Sequence, residues 1–473
     1  MAGLRSVTVD ASHRARRWDA IVLGSGVSAL VAAARLGMRE QRVLVVEEQA
    51  AADLPVCVRE PFVLAGASGG GVLEHVLHEL KVPLIERRRI VHDPVAYQVI
   101  GPNLRLDVGE ASLTASELVS WGLLKPEAAE AMVVSLGEAG ELERQHMLAA
   151  PLIKSGALRS LARSVGSAPA GPQPARGRRG LPSEVGNAPA RLGRLLAAQI
   201  RALSNHASGG TSSEACARVL GSAMLGGAVL EPGAPGLLEL LRKRVESLYG
   251  EFRRLGPGFE LVQSGGLAGI VQEKTGEMWL GKAIVIACSP TALSETLNSE
   301  TAAQLVRPGA SGAVRRLALH FRVPRELLPE GMNRHLILLT NPDAKDPQDG
   351  VAAVTLRASA PRAVEIDLVA RVVLGPELDA RKAAHDVEVA LRALMPFAGN
   401  SLVRQSHTSP SWDDDNWLEE APAGGGWPGE AGLRVSSRPP VYRLDRPAVA
   451  SLGLEGDLLL GWRAGDEISA HLS

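Results

Sequence analysis

The stretch DAIVLGSGVSALVAAARLGMREQRVLVVEE, from Asp19 to Glu48, most constrains what this chain can become. Ala20–Leu23 is a short β-branched run that reads as a strand. Ser28–Leu36 is apolar nearly all round, the pattern of a helix buried against a sheet. Arg42–Val46 alternates too little for a surface strand and fits a central parallel one. Together they predict a β-α-β unit of about 30 residues, and so an α/β fold class with a layered parallel sheet at its start.

The turn inside this unit carries chemistry. Gly24, Gly26 and Ala29 match the pattern G-x-G-x-x-G/A. Gly24 permits the tight turn out of the strand. Gly26 lets a pyrophosphate approach the backbone, and Ala29 keeps the helix close to the sheet. The helix start then points free N–H groups and its positive end at the phosphates. Ser25 and Ser28 add hydroxyl donors. Glu47 ends the second strand about 20 residues after Gly24, where a carboxylate accepts hydrogen bonds from an adenosine ribose and disfavours a 2′-phosphate. A lone glycine pattern is weak, but strand, turn, helix, strand and acid occur here in order.

Composition narrows the setting. The chain has 473 residues, enough for two or three domains. Lys plus Arg (51) balance Asp plus Glu (52), so no global charge draws it to nucleic acid. SHRARRW (Ser12–Trp18) and ARGRRG (Ala175–Gly180) are local basic patches, read as a solvated leader and a solvated loop. Aromatic residues are 3%, so the core is built from Leu, Val and Ala. Cys57, Cys216 and Cys288 lie far apart and form no CxxC pair, which argues against a disulfide framework or a zinc cluster and fits a reducing cytoplasm. Cys288 ends the apolar run AIVIAC and reads as buried. No run approaches the ~18 apolar residues of a spanning helix. The sequence leaves open a peripheral membrane contact and a homo- or hetero-oligomer.

Further along, helices are expected at Val72–Leu80, at Ala115–Leu136 with a break near Pro126, at Arg191–Leu203, after the turn of Glu231–Phe252, and at Asp379–Phe397. Val95–Val108 reads as a hairpin turning at GPN. Short strands are expected at Phe259–Val262, Leu267–Gln272, Met278–Leu280 and Ala283–Cys288. More follow at Val314–Val323, His335–Leu339, Val351–Leu356, Val364–Val373 and Leu458–Leu460. Ser164–Pro189 is rich in Gly, Pro, Ser and Arg and reads as a flexible loop.

GSGVSALVAAARL resembles the N-terminal fingerprint of the flavin-dependent amine oxidase and phytoene desaturase superfamily. Phe62–Leu80 followed by YQVIGPNLRLDV is similar to that superfamily's helix and strand pair, and EPGAPGLLELLRKRVESLYGEF to its turn-helix unit. The resemblance implies a Rossmann-type FAD-binding domain, glutathione reductase-like, split by an inserted α+β substrate domain. Residues 18–90, 235–297 and 445–473 would form the first, and 91–234 and 298–444 the second. It implies FAD as cofactor, with Phe259 near the adenine and Gly465-Asp466 near the ribityl or pyrophosphate. It also implies hydride removal from an apolar (polyene or isoprenoid) or amine substrate. Catalytic residues are not assigned. Two departures stand out. EEQAAADLPVCVRE has no Gly-Gly pair after the acid, with Arg59 the nearest basic residue, and the tail reads as a strand with no final helix. They favour a second reading, a cofactor-free binding or carrier protein of the same fold, or a subunit whose partner supplies the missing wall.

Other candidates are weaker. SHTSPSWDDDNW (Ser406–Trp417) reads as a solvated acidic turn, since adjacent acids on a strand point to opposite faces. APAGGGWPGE (Ala421–Glu430) reads as a surface loop. GASGGG (Gly66–Gly71) lacks the lysine of a phosphate loop. His75 and His78 lie three apart with Glu79 beside them but no third ligand, and read as surface histidines. There is no metal site to propose.

Overall fold

The structure is a computed structural model. It describes residues 4–9, 14–48, 63, 71–149, 177–206, 211–230, 236–255, 259–272, 275–288, 315–341, 350–358, 362–374, 379–405, 433–444 and 446–473. Arg59, most of the glycine run at 66–71, and the segments 406–417 and 421–430 lie outside them.

The chain opens with β1 (Arg5–Ser6), β2 (Arg14–Leu23), α1 (Val27–Gly37) and β3 (Val43–Glu48). Then come α2 (Val72–Glu79), the single turn α3 (Leu84–Arg87), β4 (Ile90–Asp93) and the hairpin β5 (Val95–Gly101) and β6 (Leu104–Gly109). A helical stretch follows: α4 (Ala111–Ser120), α5 (Pro126–Ala149), α6 (Ser183–Gly186), α7 (Ala190–Leu203) and α8 (Ser213–Ala223). β7 (Gly227–Leu230) and α9 (Gly236–Ser247) lead into β8 (Glu251–Leu255), β9 (Phe259–Ser264), β10 (Leu267–Gln272) and β11 (Glu277–Ile286). Four longer strands are β12 (Arg315–Pro324), β13 (His335–Leu339), β14 (Val351–Ala358) and β15 (Glu365–Leu374). The remainder is α10 (Ala380–Leu394), β16 (Val403–Gln405), β17 (Arg434–Ser437), β18 (Pro440–Arg443) and α11 (Leu454–Leu472).

Two large sheets organise these elements. The first has nine strands: β1-β9-β10-β11-β2-β3-β8 in order, with β18 on β11 and β17 on β18. Its centre is parallel, β11 with β2, β2 with β3 and β3 with β8, while β9, β10 and β11 form an antiparallel meander. The second sheet has seven strands, β16-β12-β15-β14-β13-β5-β6, antiparallel except where β13 meets β5. β4 and β7 make a separate pair. No helix among the described residues is long and apolar enough to cross a membrane.

Alternation along the strands explains the layers. Ala20, Val22, Val43 and Val45 face α1, α2, α9 and α11, whereas Ile21, Leu23, Leu44 and Val46 face a second cluster that includes Phe259. In the second sheet, Ile337 and Ala353 face α4, α5, α7 and α8, and Leu336, Val354 and Leu368 face α10.

Several expectations need correction. Leu458–Leu460 is not a strand but part of the 19-residue α11. Its glycines at 461 and 465 sit where a Cβ would collide with Ser28 and Arg35 of α1. They are there for close helix packing. Met278–Leu280 and Ala283–Cys288 are largely one strand, β11, kept continuous by its pairing with β2. The basic run Arg14–Arg17 is exposed, as expected of a solvated segment, but it is the start of β2 rather than a loose leader. Within Ser164–Pro189, residues 177–189 are not a loose loop. The fully buried carboxylate of Glu143 accepts bonds from Arg179 and from the Gly180 N–H, which fixes the chain there. The pair β17–β18, which the sequence places with the inserted segments, hydrogen-bonds to β11 of the first sheet. His75 is half-buried rather than on the surface. It packs edge-on against Trp462, and burial lowers its pKa.

Candidate active site

A cavity opens where β2 ends and α1 begins, between the two large sheets. One wall is backbone. Gly26, Val27 and Ser28 start α1, and Gly453, Leu454 and Leu458 start α11. Gly24 has φ +111°, a conformation that side-chain-bearing residues rarely adopt. Gly26 is the N-cap of α1, has no side-chain cap, and no acid occupies the first turn. The first N–H groups of α1 are therefore presented to the cavity with their partial positive charge uncompensated by a local carboxylate.

α11 runs beside α1 in the same direction: Gly461 meets Ser28 and Val31, and Gly465 meets Ala32 and Arg35. Both helices thus aim their N-termini at one cavity. Gly453 turns the chain into α11 at φ +54°, with its missing Cβ against the Leu203 carbonyl. Unlike α1, α11 carries Glu455 and Asp457 in its first turn. Arg218 holds Glu455 with two nitrogens, Nε at 2.6 Å, and donates a third bond to the Gly140 carbonyl at 2.9 Å. Arg446 holds Asp457 at 3.2 and 3.3 Å. An anion is therefore better received at α1 than at α11.

The opposite wall is made of side chains. Tyr97 of β5, Arg316 of β12, Ala353 of β14 and Arg371 of β15 line it. Arg316 donates from Nη1 to Asn205 Oδ1 at 2.9 Å and from Nη2 to the Ser204 carbonyl at 2.6 Å. Tyr97 donates to Gln199 at 2.8 Å, and burial pushes its phenol well above the ordinary value. His335 is pushed down to about 3, by burial first and then by the charges of Arg334 and Arg371.

The structure brings only part of the sequence-predicted set to the cavity. Gly26 and Ser28 line it, Gly24 and Ser25 form the turn, and Ala29 is fully buried in the core behind it. Glu47 lies next to the end of β3 on the α1 face, and its Oε1 accepts from Arg242 Nη1 at 2.6 Å. That Arg242 lies over the Phe252 ring at 3.9 Å. Phe259 begins β9 on the other face of the sheet with Leu44 and Val46. Asp466 is not near the turn. It accepts from Arg35 at 2.8 and 3.1 Å and from Arg39 at 3.3 Å, roughly 12 Å along α1 from its start. Gly465 packs against α1, so neither residue of that pair serves a ribityl or pyrophosphate position.

The missed residues are Arg316, Arg371, Arg446, Asn205 and the whole N-terminus of α11. A signal existed for one of them: Arg371 stands alone in the apolar run LVARVVL, where an unpaired cation would be costly. Among the described residues, no cluster of His, Cys, Asp and Glu could hold a metal ion.

No family model and no curated protein matches the sequence. Solved structures do match in fold. A protein from Pyrococcus furiosus aligns over 96% of this chain and 97% of its own, with TM-score 0.55 and 11% identity. An oxidoreductase from Methanosarcina mazei aligns over 94% and 99%, with TM-score 0.53 and 14% identity. A putrescine oxidase double mutant from a redesign of cofactor binding aligns over 96% and 100%, with TM-score 0.51 and 13% identity. The chain thus shares the mixed α/β fold of these structures.

The donor set suits a dinucleotide on the structure's own terms. A glycine turn with no side chain in the way, a helix start without a competing acid, and a buried carboxylate closing the next strand are the groups a pyrophosphate and a ribose need.

Proposed function

We propose that this chain is an FAD-dependent oxidoreductase that takes a hydride from a small organic molecule held between its two sheets. The single observation that carries the reading is the convergence of the α1 and α11 N-termini on one cavity behind the Gly24–Gly26 turn. Gly26 and Ser28 would receive the pyrophosphate, and Glu47, which has acceptor capacity beyond Arg242, the ribose. Phe259, buried on the opposite face of the sheet, has no part in this assignment. Bound in the cavity, the flavin supplies the acceptor for the hydride. The chain's own residues orient the substrate from β12, β14 and β15 and close water out with Tyr97, Val219 and Leu203.

In this reading the cofactor unit uses 18–90, 235–297 and 445–473, extended by β17 and β18, and the substrate unit uses most of 91–234 and 298–444. The amine and polyene substrates expected from the resemblance remain candidates of class, and the putrescine oxidase likeness in fold is compatible with an amine. The carrier alternative drew support from a missing final helix, and α11 removes that ground.

The test is colour. Purified protein is expected to absorb at roughly 350–500 nm and to release FAD on denaturation. A colourless protein that gains no such band on incubation with FAD overturns the reading.

A further inference from the structure

We infer that the overhanging start of β2 is a docking edge for an extended acidic peptide, which adds to the first sheet as one more strand. The edge lies at the end of β2 away from the Gly24 turn, and its role does not depend on a flavin.

Strand register creates the edge. β2 pairs with β11 from Arg14 to Leu23, but with β3 only from Ala20 onward. Just before that ladder, the Asp19 N–H donates to the Arg42 carbonyl. Among the described residues no strand covers Arg14–Trp18 on the β3 side, which leaves roughly 16 Å of open edge. The edge is firmly backed. On its other side stands β11, whose Met278 and Leu280 are buried on one face and Trp279 on the other. An open edge on such a sheet offers main-chain N–H and C=O groups to an extended chain lying alongside.

Charge selects the occupant. Arg14, Ala15, Arg16 and Arg17 are all exposed. The three guanidinium groups have no partner among the described residues. Alternation puts Arg14 and Arg16 on one face of the strand and Arg17 on the other, so an added strand meets a cation on either face. Two carboxylates at this end of the sheet are committed. Asp19 takes Lys282 at 2.8 Å, and Glu251 takes the Trp18 indole N–H at 3.1 Å and Arg42 at 3.8 Å. Glu277, opposite Arg14 on β11, offsets one of the three charges. A second copy of this chain would set arginine against arginine, which disfavours self-pairing. Nucleic acid would meet the cations but has no peptide backbone to continue the ladder. A peptide with acids at alternate positions satisfies the backbone and the cations together.

The probes are three ten-residue peptides carrying a fluorophore. One alternates glutamate with threonine and one alternates lysine with threonine. The third is the glutamate peptide with its backbone amides methylated, which keeps the charge and removes the donors. Fluorescence anisotropy with the full chain is expected to show the glutamate peptide binding at least about tenfold more tightly than either of the others. Hydrogen exchange at the amides of residues 14–18 is expected to slow when that peptide is added. The triple variant Arg14→Gln, Arg16→Gln, Arg17→Gln is expected to weaken binding about tenfold or more, with near-ultraviolet circular dichroism unchanged because the side chains are exposed. Should the triple variant fail to fold, Arg16→Gln and Arg17→Gln singly carry the comparison, each with a loss of about threefold. A methylated peptide that binds as tightly as its parent, or exchange at 14–18 that does not change, overturns strand addition. A lysine peptide that binds equally well, or affinity that survives the substitutions, overturns the acidic partner. A single-stranded oligonucleotide that binds more tightly than the glutamate peptide overturns both in favour of nucleic acid.

Discussion

The two walls of the cavity are built by different means. The α1 wall works with backbone: two glycines, a bare helix cap and the N–H groups behind it. The β12–β15 wall works with side chains: two arginines set by strand register, with an alanine between neighbouring strands. A backbone site is built from residues adjacent in sequence and tolerates almost no side chain. A side-chain site is assembled from strands far apart in the chain and can be retuned by single substitutions. The first kind suits a ligand that never changes, and the second suits a ligand that defines one protein among relatives of the same fold.

The largest expected effect tests what joins the walls. The Arg218–Glu455 pair ties α8 to the start of α11, and Arg218 is 1% exposed. Glu455→Ala leaves a buried guanidinium without its carboxylate and is expected to cost about 3–5 kcal/mol in denaturant unfolding. A loss under ~1 kcal/mol would mean the walls are held together elsewhere. Next is the backbone wall itself. Gly26→Val puts a branched side chain where the pyrophosphate would lie. It is expected to weaken FAD binding about 100-fold, near 3 kcal/mol. Unchanged FAD affinity in that variant would take the pyrophosphate away from this wall.

The buried His335 beside that wall predicts a pH response. Above about pH 6.5 both folded and unfolded chains hold His335 neutral. Below it the unfolded chain takes up a proton that the buried site refuses, so stability falls with pH until the folded group itself titrates near about 3. The slope from this residue is at most about 1.4 kcal/mol per pH unit. His335→Gln is expected to flatten it, read as unfolding free energy between pH 7 and 4. Smallest of all is Asp466→Asn. Its ion pair with Arg35 is partly exposed, so the change is expected to cost less than ~1 kcal/mol and to leave FAD content intact. Loss of FAD in that variant would return Asp466 to the cofactor site.

The same contrast explains what the sequence reveals. The turn at Gly24–Ala29, the helix at Val72–Leu80, the hairpin at Val95–Val108 and the helix at Arg191–Leu203 follow from local periodicity and turn chemistry, which need no knowledge of the partner. α11 is hidden because its glycines at 461 and 465 serve a contact with α1 that only the fold supplies. Arg316 and Arg371 are hidden because their meeting depends on pairing between β12 and β15, separated by two other strands in the chain. Asp466 misleads for the opposite reason: a Gly-Asp dipeptide is too short to carry a position.

The glycine seam between α1 and α11 joins segments with about 430 residues of chain between them, a costly closure for any polymer. A nucleotide bound at the mouth of that seam, as proposed, would act as a clasp on both α1 and α11 at once. Loading the coenzyme and finishing the fold would then be a single cooperative event, and the empty protein should fray first where α11 meets α1.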